Sequence, residues 1–423
     1  MAALTWTGLA RERPGPPAGT DLTDPGFWRR PPAARTAAFA RLRALDSPVY
    51  FPERAGGAFG AGPGFHALVR HADVVAASRT PEVFISGPGV TTPRPPRWVR
   101  IAFGDSMVNL DDPRHANLRS VVSRAFTPRV VLKAAEDMRR TVTSIVDDVA
   151  ARRSGDFVER VAGALPFAVI CDMMGIPGDL RGRILGHIDG ATEGTGVAGR
   201  GLRLPGASLR ALAGLHRVVA RVARQRRRVP ADDLVSALVT TNVDGRRLNS
   251  RELGAFFSLL LVAGVETTRN AIAHGLWLLT EHPAQRELLL ADLDRRLPGF
   301  VEEVIRFGCP IVQFRRTVAR DHVLGGYPLR AGEDVVLCYA AANRDEAVFA
   351  DPDAFDITRS PNPHVGFGGG GPHFCLGTSL ARQEMVLVFR ELLTRLPEIR
   401  SVGEPELVAS TFDNRVARLA FTC

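Results

Sequence analysis

The 423-residue sequence has no run of about 18 uninterrupted apolar residues, so no segment reads as a membrane span. Its N-terminus lacks a basic region followed by an apolar core and a cleavage site, and a soluble, cytoplasmic protein is expected. Cysteine is scarce and scattered: Cys171, Cys309, Cys338, Cys375 and Cys423 are odd in number and show no metal-finger spacing. That pattern excludes a disulfide framework and reads as free thiols. Tyrosine (3) and tryptophan (4) are also few. The net charge of +9 is carried mostly by arginine, spread through helical segments and not clustered with aromatics, so nucleic-acid binding is not expected. A basic face for an acidic protein partner is. No internal repeat, linker or charge block divides the chain.

What is present is helical periodicity. Apolar spacing predicts amphipathic helices over 32–45, 116–127, 131–153, 165–176 and 208–228. Short strands are expected within 47–52, 65–70, 322–330, 333–340 and 415–422. The fold class is therefore mainly α with small β-sheets, in one domain over 21–423 behind a mobile Pro/Gly/Ala-rich arm, 1–20. Three irregular stretches are expected: a proline-rich loop (83–105), a glycine-rich loop or lid (189–208) and a meander of turn residues (343–366).

The most informative helix is predicted from Asn249, whose pairing with Glu252 can form a capping box, to Pro283. Its first half is apolar on all faces, and then "AGVETT" places Glu266, Thr267 and Thr268 where polar groups require partners or a cavity. Gly264 and the threonines are expected to bend or interrupt the helix there. An acid and an alcohol facing a cavity can deliver protons; a kink with a satisfied core threonine is the other reading.

"GFGGGGPHFCLG", 366–377, sets four glycines ahead of Cys375, with an apolar-periodic helix following. A thiol near a helix start is shifted towards thiolate, the form that ligates metal or attacks as nucleophile. Taken alone, the stretch fits a buried structural cysteine equally well.

These two features, with "EEVIR" (Glu303 and Arg306), "NRDEAVFADPDAFD" and "LDDPRHANLRSVVSRAFTPR", make the sequence resemble the cytochrome P450 family of haem-thiolate monooxygenases. The motifs come in the family's order from about Asp21 to the C-terminus. The resemblance implies the single-domain P450 fold, with haem b between the long helix and the cysteine loop and Cys375 as axial ligand. It implies propionate partners in His115, Arg119, Arg316 and His373, and glycines that let the backbone pass close to the macrocycle. Here Phe367 precedes Cys375 by eight residues where the family pattern has seven, read as a local bulge.

Glu303 and Arg306 are implied to form a structural ion-pair network with a meander arginine, taken as Arg344. Glu266 and Thr267 match the acid–alcohol pair of members that use dioxygen. The implied pocket residues are Leu259, Val262, Ala263, Ile311, Val312 and Phe412, and the implied partners are a small apolar substrate, a ferredoxin and its reductase, with the protein a monomer. Arg114, Arg124 and Arg382 are the candidates for the ferredoxin face. The nearest likeness is to actinobacterial members hydroxylating methyl-branched lipids and sterols. Asp413, Asn414 and Gln313, if they line the pocket, tilt the expectation instead towards a polyketide, terpenoid or other oxygenated natural product. A haem-binding sensor would keep Cys375 without needing Glu266 and Thr267.

Overall fold

Residues 15–53, 62–94, 106–123, 126–192, 206–243 and 246–423 are described by the structure, a computed structural model of the chain. Of the expected arm, residues 1–14 lie outside these, as do 95–105 of the proline-rich loop, 193–205 of the glycine-rich loop and Arg124. At the arm's end Thr20 and Leu22 are buried, and the Trp28 indole donates to the Leu22 carbonyl at 2.9 Å.

Helices dominate, as the periodicity requires: α1 (Pro32–Arg43), α2 (His71–Arg79), α3 (Arg114–Ser123), α4 (Pro128–Arg152), α5 (Ala164–Met173), α6 (Gly178–Thr192) and α7 (Gly206–Arg228). They continue with α8 (Leu234–Thr240), α9 (Ser250–Glu281), α10 (Pro283–Ala291), α11 (Leu293–Gly308) and α12 (Thr378–Arg395). The stretch expected as a glycine-rich loop is helical at both ends, closing α6 and opening α7.

Helix α9 is positioned by its own termini. Asn249 Oδ1 accepts from the Arg251 and Glu252 N–H groups at 2.9 and 3.0 Å, and Glu252 Oε2 accepts from the Asn249 N–H at 2.9 Å. From that capping box it runs 32 residues to Glu281, unbroken at Gly264, where an interruption was expected. A Cβ on Gly264 would stand 3.3 Å from Ile170 of α5, and one on Gly275 would stand 2.5 Å from the Phe389 ring of α12. Both glycines let neighbouring helices close in. Phe256, Phe257, Leu261, Ile272, Leu276 and Leu279 of α9 are buried in one cluster with Phe300 and Phe389. Each such burial contributes about 1.5–3 kcal/mol, more than the roughly 1 kcal/mol that a helical glycine costs.

The larger sheet comprises β1 (Val49–Phe51), β2 (Phe65–Leu68), β3 (Phe84–Ile85), β4 (Gln313–Val318) and β5 (Asp334–Cys338), ordered β1-β2-β5-β4-β3. Only the β2–β5 pairing is parallel. Strand β4 was not expected because "QFRRTV" carries two central arginines. Arg315 is accommodated by Asp334 Oδ2 at 2.8 Å and both Glu53 oxygens at 2.9 Å. The alternation of a strand then turns Phe314 and Arg316 to the opposite face.

Candidate active site

The cysteine loop runs from the meander to α12 and is shaped by glycine. Gly368, Gly370 and Gly371 have φ of 100, 90 and 73°, the left-handed region that side chains resist. A Cβ on Gly369 would lie 2.6 Å from Ser78 Oγ, and one on Gly371 only 2.0 Å from the Ser78 carbonyl. The bare backbone is thus needed for the fit against the end of α2, a contact the sequence did not reveal. At Gly377 a Cβ would meet nothing within 4 Å. The extra residue before Cys375 is taken up by the left-handed turns, and the Cys375 N–H donates to the Phe367 carbonyl at 2.9 Å.

All five cysteines are free, and Cys375 is the exposed one. Burial pushes the Cys171 and Cys309 thiols up to about 12 and raises Cys338 as well, which makes them inert. Cys375 lies deep in a recess, and desolvation raises its thiol too, but the Gly377 N–H and the positive charges of Arg119 and Arg382 pull the other way.

Around that recess four nitrogen-bearing side chains converge. Arg119, one turn after His115 on α3, donates to the Phe374 carbonyl at 2.6 Å. The His115 and His373 rings lie with centroids 4.2 Å apart, and Ser86 Oγ stands 3.1 Å from His373 Nε2. Arg316 is buried, and among the described residues it donates to its neighbour's carbonyl, Arg315 O, at 2.8 Å. Burial, then Arg316, His115 and Arg119, push the His373 imidazole down to about 3, and burial likewise lowers His115 and Arg316. His115 Nε2 is buried and makes no hydrogen bond among the described residues. A thiol beneath this excess of donors calls for an anionic, metal-bearing partner. Haem, with one iron and two carboxylates, matches that donor set.

On α9 the helical spacing of Leu259, Val262, Ala263 and Thr267 puts them on one face, and that face is the less buried one, with Ala263 exposed. Thr267 Oγ1 donates to the Ala263 carbonyl at 2.7 Å, leaving its lone pairs free to accept. Glu266, next along the helix, is buried; Arg269 donates to it at 3.2 Å, and Arg415 stands 3.8 Å from its other oxygen. Ile311 and Phe412 are partly exposed, and the Phe412 ring meets Phe314 at 5.4 Å. Val312 does not join them: it is buried in the core of the large sheet with Phe51, Phe65 and Val336. Phe314, two residues before Arg316 on β4, was missed because the strand was.

The expected polar groups are partly occupied, with Asp413 Oδ1 and Gln313 Nε2 buried and without a hydrogen bond among the described residues. Asp413 Oδ2 accepts from Arg415 at 3.0 and 3.1 Å, while Asn414 donates to the Gly308 and Cys309 carbonyls at 2.9 and 3.2 Å. Gln313 is buried opposite Cys338 in the sheet.

Glu303 and Arg306 are fully buried and bidentate at 2.7 and 2.8 Å. The meander arginine that reaches Glu303 is Arg359, at 3.4 Å, where Arg344 was expected. Arg344 pairs with Asp353 at 2.9 Å and stacks 3.6 Å over the Phe307 ring. Arg359 lies in the same meander, but the folding back of the chain that selects between the two arginines has no local signal. Two proposed ferredoxin contacts are already paired: Arg114 with Glu252, and Arg382 with both Glu302 oxygens at 2.6 and 2.8 Å.

Comparison with known proteins agrees with this geometry. The family model described as cytochrome P450 matches residues 214–397. A methyl-branched lipid omega-hydroxylase of Mycobacterium tuberculosis is 43% identical over 96% of this chain and 95% of its own. A steroid C26-monooxygenase of Mycobacterium bovis is 37% identical over 95% of this chain and 92% of its own. A Mycobacterium marinum cytochrome P450 solved with pseudoionone superposes with a TM-score of 0.92 at 42% identity, covering 98% of this chain and 100% of that one. Among the described residues no helix is long and apolar enough to cross a membrane. With the thiol, the ring of donors, the long helix and this likeness over nearly its whole length, the chain belongs to the cytochrome P450 family of haem-dependent monooxygenases.

Proposed function

We propose that the protein hydroxylates the apolar end of a methyl-branched or steroid-like lipid in the cytoplasm, with electrons from a ferredoxin and Cys375 as the haem ligand. The observation that carries this reading is the apolar face of α9: Leu259, Val262 and Ala263 lead to Thr267. Asp413 and Asn414, which argued for an oxygenated substrate, are held by Arg415 and by backbone carbonyls. Two relatives named for lipid and steroid oxidation support the same substrate class.

When bound, haem activates dioxygen and supplies the oxygen atom inserted into a C–H bond. The chain's part is binding, orientation and proton supply. His115, Arg119, Arg316 and His373 would hold the propionates, and Cys375 Sγ the iron. Leu259, Val262, Ala263, Ile311, Phe314 and Phe412 would orient the substrate and exclude water. Thr267 Oγ1, already donating to Ala263, accepts a proton-bearing water through its lone pairs. Glu266, held by Arg269 and Arg415 about 100° around the helix from Thr267, would relay protons on exchanging one of those partners for water.

The test is a titration of haem-loaded protein with a methyl-branched fatty acid, a sterol and an oxygenated polyketide, reading the low-spin to high-spin Soret shift, followed by mass spectrometry of products made with a ferredoxin and reductase. Shifts and hydroxylated products from the lipids are expected. A shift and product from the polyketide alone would overturn the lipid assignment.

A further inference from the structure

Helix α7 concentrates the chain's charge. Residues 206–228 contain seven arginines and no Asp or Glu, against a net charge of +9 for the whole protein. Its buried face, Leu215, Val218, Val219, Val222 and Ala223, belongs to the main core cluster, and the helix packs on α6, α8 and α9. Arg226 is paired with Asp233. Arg210, Arg217, Arg221, Arg224 and Arg228 are exposed and have no carboxylate partner among the described residues. Arg217 and Arg224 donate only to carbonyls of their own helix, Ala213 and Ala220, at 3.2 and 3.1 Å.

At 100° per residue these five arginines fall within an arc of about 60° and extend over about 27 Å, a straight row along one edge. Unpaired like charges in a row repel one another, so the arrangement costs stability unless something negative meets it. An electron donor is an unsuitable occupant, since α12, which follows Cys375, packs on α4, α11 and α9 and the row lies on the outer face of α7. A protein interface needs an apolar centre for its binding energy, and within the arc this row presents arginine. An anionic bilayer asks only for charge, acting over a flat front, at about the same strength per arginine.

We propose that the α7 arginine row docks the protein on an anionic phospholipid surface, α7 lying along the headgroups without entering the bilayer. This goes beyond the proposed hydroxylation; that reading supplies only its use, since a lipid or sterol substrate is stored in membrane. Binding would be electrostatic and would fade as salt shortens the screening length to below ~10 Å.

The experiment is co-sedimentation of the haem-loaded full chain with phosphatidylglycerol-containing vesicles and with phosphatidylcholine vesicles, without substrate or turnover, so that it stands apart from the substrate assignment. Wild type should bind the anionic vesicles and not the zwitterionic ones. Replacing Arg217, Arg221, Arg224 and Arg228 together by Gln should lower the partition coefficient about a hundredfold or more, with the haem spectrum unchanged. If that variant fails to load haem, Arg217→Gln with Arg224→Gln should still give about a tenfold drop. Equal sedimentation of wild type and variant, no binding to anionic vesicles, or capture by an acidic acyl carrier protein in preference to vesicles would overturn the proposal.

Discussion

His115 and His373 face each other with ring centroids 4.2 Å apart, two imidazoles from distant parts of the chain sharing one wall of the Cys375 recess. Arg316 and Arg119 add positive charge to the same place, and His115 Nε2 has no partner among the described residues. His115→Phe and Arg316→Leu should therefore each weaken haem retention about tenfold to a hundredfold, the size of a lost charge-assisted hydrogen bond. Arg316→Leu should lose more, because that group is charged at every working pH. The haem-to-protein ratio after gel filtration measures it, and full retention in both variants would remove the propionate role.

Thr267→Ala should leave haem content and substrate binding nearly unchanged, since among the described residues the Thr267 hydroxyl bonds only to the Ala263 carbonyl of its own helix. Product formed per NADH should fall about a hundredfold, the usual scale for loss of a proton-positioning group, with hydrogen peroxide making up the difference. Thr267→Ser should restore most of the coupling. Complete coupling in the alanine variant would reduce Thr267 to a packing residue.

The carboxylate of Glu303 receives Arg306, Arg359, the Asn362 amide at 3.0 Å and the Asp356 N–H at 2.9 Å. Breaking a buried pair from one side leaves an uncompensated charge. Arg306→Met should cost about 3–5 kcal/mol in urea unfolding of the holoprotein, and Arg359→Met, which leaves three donors in place, about 1–2 kcal/mol. Arg359→Met having no effect would contradict the network drawn here.

Glu384 of α12 is buried, and desolvation raises its carboxyl from 4.5 to about 8. The native state therefore holds a proton that the unfolded chain has released. Stability is fully present below pH 4.5 and is lost progressively as pH rises to about 8. Glu384→Gln removes the dependence, so it should stabilise the protein by on the order of 3 kcal/mol at pH 7 and by almost nothing at pH 4. Thermal melts of both proteins from pH 5 to 8 decide this; a constant gap between the curves would show that Glu384 does not titrate.

How much was legible depended on whether the cause was local. The α9 capping box follows from residues within one turn and was read correctly, while the apolar half of that helix is buried except along the face of Leu259, Val262 and Ala263. The face shared by Leu259, Val262, Ala263 and Thr267 follows from helical period alone. Val312 was misassigned because a residue flanking a strand points to one side or the other according to a pairing that "PIVQF" does not encode. Arg344 and Arg359 are both meander arginines, and only the chain's return to α11 distinguishes them. The contact of the loop glycines with the end of α2 could not be read, because the two segments lie far apart in sequence.

That last contact has a consequence for assembly. Since Gly369 and Gly371 seat against Ser78 and Arg79, the segment that places the sulfur is braced by a helix from the opposite end of the chain. Closing so long a span is slow and must await nearly all of the sequence. The polypeptide leaving the ribosome thus carries its thiol as an ordinary, unplaced cysteine until its first and last hundred residues have met, and cofactor capture becomes a late event that reports completed folding rather than guiding it.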